Sequence, residues 1–123
     1  MRRMYVEEDV AERETQLLRG SLDMCVLALL DREPMHAYAV VQRLADHGFQ
    51  QTGYGTIYPL TARLRRLGLL DQRSEQGRGG PARHLLITTA AGRAALSRWT
   101  AQWHETVERV AGVFAAREER DVR

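Results

Sequence analysis

The chain has 123 residues, 44% hydrophobic and 28% charged with three prolines, which suits one globular domain around a single core. Its formal net charge of +2 hides an uneven spread: eight arginines (63, 65, 66, 73, 78, 83, 93 and 98) stand against two acids between Gly55 and Arg98. A single cysteine excludes a disulfide framework, and apolar runs too short for a membrane span or a signal peptide point to a cytoplasmic protein.

Residues 1–16 hold five acids against three arginines, with Val6, Val10 and Leu17 at roughly helical spacing. They read as an N-terminal extension, either frayed or docked. From Leu17 to Asp31, the residues Leu18, Leu22, Cys25, Val26 and Leu29 repeat at the i, i+4, i+7 spacing of a buried helix. Cys25 reads as a small core hydrophobe within it. Arg32-Glu33-Pro34 ends that helix, because the residue before a proline is driven out of the helical region. A second helix follows from Met35 to His47, with Ala37, Val40, Val41 and Leu44 as its apolar face and Gly48 as its stop. The third helix starts near Gly55 or Thr56 and takes Pro59 in its first turn. It buries Ile57, Leu60, Leu64 and Leu67 and closes at Gly68.

Leu69–Ser74 and His84–Thr88 are strand candidates flanking the loop Gly77-Arg78-Gly79-Gly80-Pro81-Ala82-Arg83. Thr89 reads as the N-cap of a final helix from Ala90 to about Ala116, roughly 40 Å long at about 1.5 Å per residue. Its stripe of Leu96, Trp99, Trp103, Val107, Val110 and Phe114 is too long for a small domain to cover and needs a partner surface. Residues 117–123 are charged and read as a disordered tail. No internal repeat or low-complexity tract interrupts the order.

Helix, helix, helix, hairpin and basic tip make a winged helix-turn-helix. The expected fold is therefore mainly α with a small β-hairpin: a DNA-binding domain over residues 17–89, then a long dimerisation helix over 90–116. The local excess of positive charge suits a polyanion, since that attraction dominates nucleic-acid affinity. All eighteen basic residues are arginine. Arginine forks onto phosphates and guanine edges, although an arginine-only chain is more often the mark of a GC-rich genome.

At about 100° per residue, the buried stripe of the third helix leaves Tyr58, Ala62, Arg65 and Arg66 on the opposite face, with Thr56 and Pro59 beside them. A recognition helix reads base edges with its N-terminal residues and reaches phosphates with later ones. Thr56 and Tyr58 are therefore candidates for base or first-phosphate contacts, and Arg65 and Arg66 for the backbone. Tyr58 has the alternative of packing on Tyr54 or the second helix. In the loop, glycines permit close approach to a phosphate, and an arginine such as Arg78 or Arg83 can enter a narrow minor groove. A nucleotide-phosphate cradle would need a GxGxxG or Walker pattern that the chain lacks.

Leu17-Leu18-Arg19-Gly20-Ser21-Leu22-Asp23, His36-Ala37-Tyr38, Gly55-Thr56-Ile57-Tyr58-Pro59-Leu60, Gly79-Gly80-Pro81-Ala82-Arg83 and Thr89-Ala90-Ala91-Gly92-Arg93 together resemble the PadR family of bacterial transcriptional regulators. The likeness covers about Leu17 to Val113 and is similar to the short subfamily with one C-terminal helix. It implies a homodimer held by the final helices. It also implies repression by binding double-stranded DNA at a palindromic operator, released in many members by a small molecule. Thr56 and Tyr58 match the motif opening the family's recognition helix, Tyr38 the second-helix tyrosine, and Arg83 the basic residue of the wing. The candidate DNA-contacting set is Tyr38, Tyr54, Thr56, Tyr58, Pro59, Arg65, Arg66, Arg78 and Arg83. Trp103 matches a tryptophan that, in multidrug-sensing members, lines a flat pocket between subunits for planar aromatic ligands. Trp99 lies one turn earlier. Either tryptophan has the alternative of plain dimer core. The chain departs from the family at Ala37, where glycine is usual, at Leu85-Leu86, where two tyrosines are usual, and at Thr88, which replaces an apolar residue.

Neither catalysis nor a cofactor is implied. The four histidines (36, 47, 84 and 104) pair with no other ligand at a zinc-like spacing. His104 with Glu105 and Glu108 is only a weak metal candidate, and His36 reads as a support for the start of the second helix. A metal- or stress-responsive regulator without an organic ligand, or a winged helix that contacts proteins, stays open as an alternative.

Overall fold

A computed structural model describes residues 7–50, 52–75 and 83–122. In chain order the elements are α1 (Glu7–Arg19), α2 (Leu22–Arg32), β1 (Met35–His36), α3 (Ala37–Asp46), α4 (Tyr54–Arg66), β2 (Leu70–Glu75), β3 (Arg83–Thr88) and α5 (Ala90–Val122). The three strands form one antiparallel sheet in the order β1-β3-β2. The expected helix-turn-helix and wing are therefore present, with a long helix after them.

The core lies where α2, α3 and α4 meet the sheet. Val26, Leu27, Leu30, Val40, Leu44, Ile57, Leu64, Leu70 and Leu86 are buried there, with Met35 beside them. Each apolar stripe follows the 3.6 period of its helix, but two differ in phase from expectation. In α2 the buried residues are Leu22, Val26, Leu27 and Leu30, while Cys25 and Leu29 are only half-buried. In α4 they are Ile57, Thr61 and Leu64, with Leu60 half-buried and Leu67 61% exposed. Thr61 can turn inward because its hydroxyl donates to the Tyr58 carbonyl at 3.0 Å, leaving no polar group unpaired. Leu67 is the C-cap and has already left the packed face.

Both helix stops expected at glycine hold for one reason. Gly48 and Gly68 adopt φ of 97° and 77°, the left-handed region that glycine enters without strain. Phe49 N–H then reaches Leu44 O at 2.9 Å, and Leu69 N–H reaches Leu64 O at 2.9 Å, closing the carbonyl ends of α3 and α4. Pro34 likewise ends α2: Glu33 is extended at φ −160° and ψ 144°.

Four expectations are corrected. The extension is helical from Glu7 and runs to Arg19, so the break falls at Gly20-Ser21 and not at Leu17. The Leu18–Leu22 spacing continues the helical period straight through that break, which hides it. β1 is an addition, since its two residues gain strand character only by pairing Met35 with Leu86 and His36 with Leu85. Pro59 sits inside α4, not in its first turn, because the helix begins at Tyr54. It leaves the Gly55 carbonyl without its i+4 partner. α5 continues through Val122, past Ala116 and through most of the segment read as a disordered tail.

Thr89 caps α5 as expected, its Oγ1 accepting Gly92 N–H at 3.0 Å. The departure at Thr88 is absorbed in the same way as Thr61: its buried hydroxyl donates to Leu27 O at 3.4 Å. Among the described residues no helix is long and apolar enough to cross a membrane.

Candidate nucleic-acid interface

α4 lies between two grooves. With Ile57, Thr61 and Leu64 pointing inward, the outer crest is Gly55, Pro59 and Arg66, all exposed. Tyr54, Tyr58, Ala62 and Arg65 flank the crest on the side of α3 and the sheet. Thr56 and Arg63 flank it on the side of α1 and α2.

The first groove, about 560 Å³, is where the expected set converges: Tyr38, Tyr54, Tyr58, Arg65 and Arg83 all line it. Tyr38 enters from the first turn of α3 and Arg83 from the start of β3, while the other three come from α4. Tyr54 and Tyr58 lie one turn apart with ring centroids 5.5 Å apart and planes tilted by 31°. Tyr58 thus packs on Tyr54, the alternative reading of this residue, and still keeps 57% of its surface exposed to the groove and solvent. The phenol groups and guanidinium forks offer neutral and cationic hydrogen-bond donors along one trough, the chemistry that phosphate oxygens accept.

Thr56 is not part of this cluster. Two residues from Tyr58 means about 200° around the helix, and Thr56 lines the second groove, about 350 Å³, with Arg19, Asp23 and Arg63. Arg63 Nη2 stands 3.8 Å from Asp23 Oδ2 there. Pro59 and Arg66 lie on the crest between the grooves. Arg78 lies outside the described residues.

The lining residues of the first groove that escape sequence reasoning include His36, Gln42, Gln72 and His84. Gln42 follows Tyr38 by one turn of α3, and that i, i+4 spacing on an exposed face is the signal that could have found it. His36 carries contacts that no sequence pattern announces. Its ring Nδ1 lies 3.0 Å from the His84 carbonyl and its Nε2 3.8 Å from Glu75 Oε2. It precedes the first turn of α3, as expected, but makes no side-chain cap there and reaches the wing strands instead.

The residues expected on the long helix divide into two groups. Leu96 and Trp99 are half-buried against the chain's own core. Trp103, Val107, Val110 and Phe114 are 43–59% exposed. Trp99 and Trp103 line a third groove of about 390 Å³ with Leu17, Gly20, Asp23 and Met24, so α1, α2 and α5 meet around the indoles.

Other chemistry is sparse. Among the described residues no three His, Cys, Asp or Glu side chains come close enough to hold a metal ion. Cys25 is half-buried, and burial, followed by the Asp23 carboxylate, pushes its thiol above the usual range, which is contrary to what a reactive thiolate needs.

Residues 26–98 match the transcriptional regulator PadR-like family. Among solved structures, a PadR family transcriptional regulator from Eggerthella lenta shares 38% identity over 88% of this chain and 94% of its own, with a TM-score of 0.81. A PadR-like transcriptional regulator from Bacillus cereus shares 27% identity over 80% of this chain and 96% of its own, with a TM-score of 0.72. A PadR-like transcription factor from Bacteroides fragilis shares 30% identity over 83% and 98%, with a TM-score of 0.71. No curated protein sequence matches.

Proposed function

The chain belongs to the PadR-like family of transcriptional regulators, and from that premise we propose that it is a homodimeric repressor released by a planar aromatic effector. The coarser part follows from the family, whose members are DNA-binding proteins without enzymatic activity. In this reading α4 lies in the major groove of a palindromic operator, and its symmetry mate occupies the next major groove about 34–36 Å away. The observation that carries it is the convergence of Tyr38, Tyr54, Tyr58, Arg65 and Arg83 on one trough beside α4. Arg66 and Pro59 on the crest face the base edges, and the trough takes one phosphate strand. Thr56 serves the opposite flank, beside Arg63, rather than the tyrosine cluster.

The dimer reading rests on α5. Four large apolar side chains, Trp103, Val107, Val110 and Phe114, stand exposed along one face, and a soluble chain covers such a stripe. Pairing two α5 helices covers it and brings two Trp103 indoles toward the dyad, where a flat ligand stacks between them. The ligand acts by binding one dimer geometry better than the other.

Two measurements on the purified protein test this. A duplex from its own promoter should bind far more tightly than random DNA at the same salt; equal, weak binding favours a protein-contacting module instead. Without DNA, ethidium should quench the tryptophan fluorescence and Trp103→Ala should abolish that. Unchanged dye affinity in the mutant sinks the effector site.

A further inference from the structure

We propose that His36 is a positioning residue for DNA binding: it holds the β2–β3 hairpin at the angle at which Arg83 and α4 reach the same duplex. This rests on the DNA-binding reading above and adds a residue to it.

Among the described residues the hairpin is buried only at its root. Leu70 in β2 and Leu86 and Thr88 in β3 are buried, whereas Arg73, Ser74, Glu75, Arg83 and His84 are exposed. The third strand gives little edge support. β1 pairs Met35 with Leu86 and His36 with Leu85, and goes no further. Beyond that point the His36 ring continues the connection. A carbonyl can only accept, so the 3.0 Å contact to His84 O fixes the hydrogen on Nδ1. The opposite edge of the ring then faces Glu75 Oε2 at 3.8 Å. One side chain therefore touches both strands of the wing, beside the pair Glu75 and Arg83.

The other end of His36 is fixed. It leads directly into α3, whose Val40 and Leu44 are buried and whose Arg43 pairs with Glu33 at 3.1 Å. Tyr38 follows two residues later in the same groove. His36 is thus a strut from the body of the domain to the exposed half of the hairpin. Its leverage is large. Arg83 lies three residue steps from Leu86, about 10 Å at roughly 3.3 Å per residue. A swing of about 10° at the root therefore moves Arg83 by nearly 2 Å, more than a hydrogen bond to phosphate tolerates.

The test is a double-mutant cycle read by operator binding, with His36→Ala and Arg83→Ala made singly and together. His36→Ala should weaken the operator complex about five- to tenfold and lower its salt slope by about 0.9, as expected when one arginine no longer neutralises a phosphate. The double mutant should bind within about twofold of Arg83→Ala alone, because the strut acts through that arginine. His36→Asn should restore most of the affinity, since its amide N–H can donate to the His84 carbonyl. His36→Leu keeps the side-chain volume and should match His36→Ala, so a folding defect in the alanine variant does not decide the question. Independent, multiplying effects of His36 and Arg83, or a His36→Leu complex within twofold of wild type, overturn the proposal. Wild-type protein that does not prefer its operator to random DNA overturns the DNA-binding reading, and this with it.

Discussion

Gly92 sets two physical effects against each other, and Gly92→Ala decides between them. It is the third residue of α5, where helix propensity alone favours alanine by about 1 kcal/mol. Packing says the opposite. A Cβ built on Gly92 would overlap the Leu69 carbonyl oxygen and lie 2.9 Å from Thr88 Cγ2 and 3.1 Å from the Leu69 carbonyl carbon. That carbonyl cannot retreat freely, because it accepts Thr89 N–H at 3.1 Å while Leu69 N–H is held by Leu64 O at 2.9 Å. Relief requires the start of α5 to move, which breaks the 3.0 Å cap between Thr89 Oγ1 and Gly92 N–H. Overpacking costs about 1–3 kcal/mol, and a lost cap adds about 1 kcal/mol. The lost cap and the propensity gain roughly cancel, so the net expectation is a loss of about 1–3 kcal/mol. With an unfolding entropy of about 2.1 cal/mol/K per residue, that lowers Tm by roughly 4–12 °C. The assay is thermal unfolding followed by circular dichroism at fixed protein concentration. Gly112→Ala is the internal control: it lies in the same helix, its Cβ meets nothing within 4 Å, and it should raise Tm by a few degrees. A Gly92→Ala protein that melts at or above wild type refutes the reasoning.

Arg65→Ala should weaken operator binding and lower the slope of log affinity against log salt by about 0.9, the share of one neutralised phosphate; an unchanged slope removes Arg65 from the interface. Leu64→Ala should cost about 2–5 kcal/mol in urea unfolding, since Leu64 is fully buried. Leu67→Ala should stay within about 0.5 kcal/mol because that side chain is mostly exposed. Val110→Glu places a charge in the middle of the exposed stripe and should shift the sedimenting species from dimer to monomer; an unaltered dimer moves the interface elsewhere.

The parts of the fold legible in the sequence are those dictated by local backbone chemistry. Pro34, Gly48, Gly68 and Thr89 each impose or forbid a conformation on their own, and the ends of α2, α3 and α4 and the start of α5 follow from them. The hidden parts depend on neighbours distant in sequence. β1 exists only because β3 lies beside it. The inward turn of Thr61 is hidden for a different, local reason: its hydroxyl is satisfied by the Tyr58 carbonyl within its own helix, so a polar residue takes a buried place that a stripe of apolar residues alone does not mark. The site divides in the same way. Tyr54, Tyr58 and Arg65 share a flank by helical arithmetic, so their convergence is readable. The motif suggests grouping Thr56 with Tyr58 because they stand two residues apart, although that spacing turns one away from the other. Gln42 and His36 reach the groove through the packing of α3 on the sheet, which no single element's periodicity encodes.

Thr89 joins the two halves of the molecule. Its hydroxyl donates to Gly68 O at 2.7 Å and accepts Gly92 N–H at 3.0 Å, so one side chain ties the end of α4 to the start of α5. The lever arms on either side are nearly equal. From Thr89 to Trp103, and from Gly68 back to Tyr54, the helices each run about 21 Å at roughly 1.5 Å per residue. A rotation about this joint that carries Trp103 by about 2 Å would carry Tyr54 by about the same distance, enough to break hydrogen bonds to phosphate. Thr89→Val keeps the branched shape and removes both bonds. It is expected to leave ethidium quenching of the tryptophans intact while reducing the dye's ability to release operator DNA. Stability should fall by about 1–2 kcal/mol for the lost cap, so both measurements belong well below the mutant's Tm. If dye-induced release survives in Thr89→Val at wild-type strength, the coupling does not run through this joint.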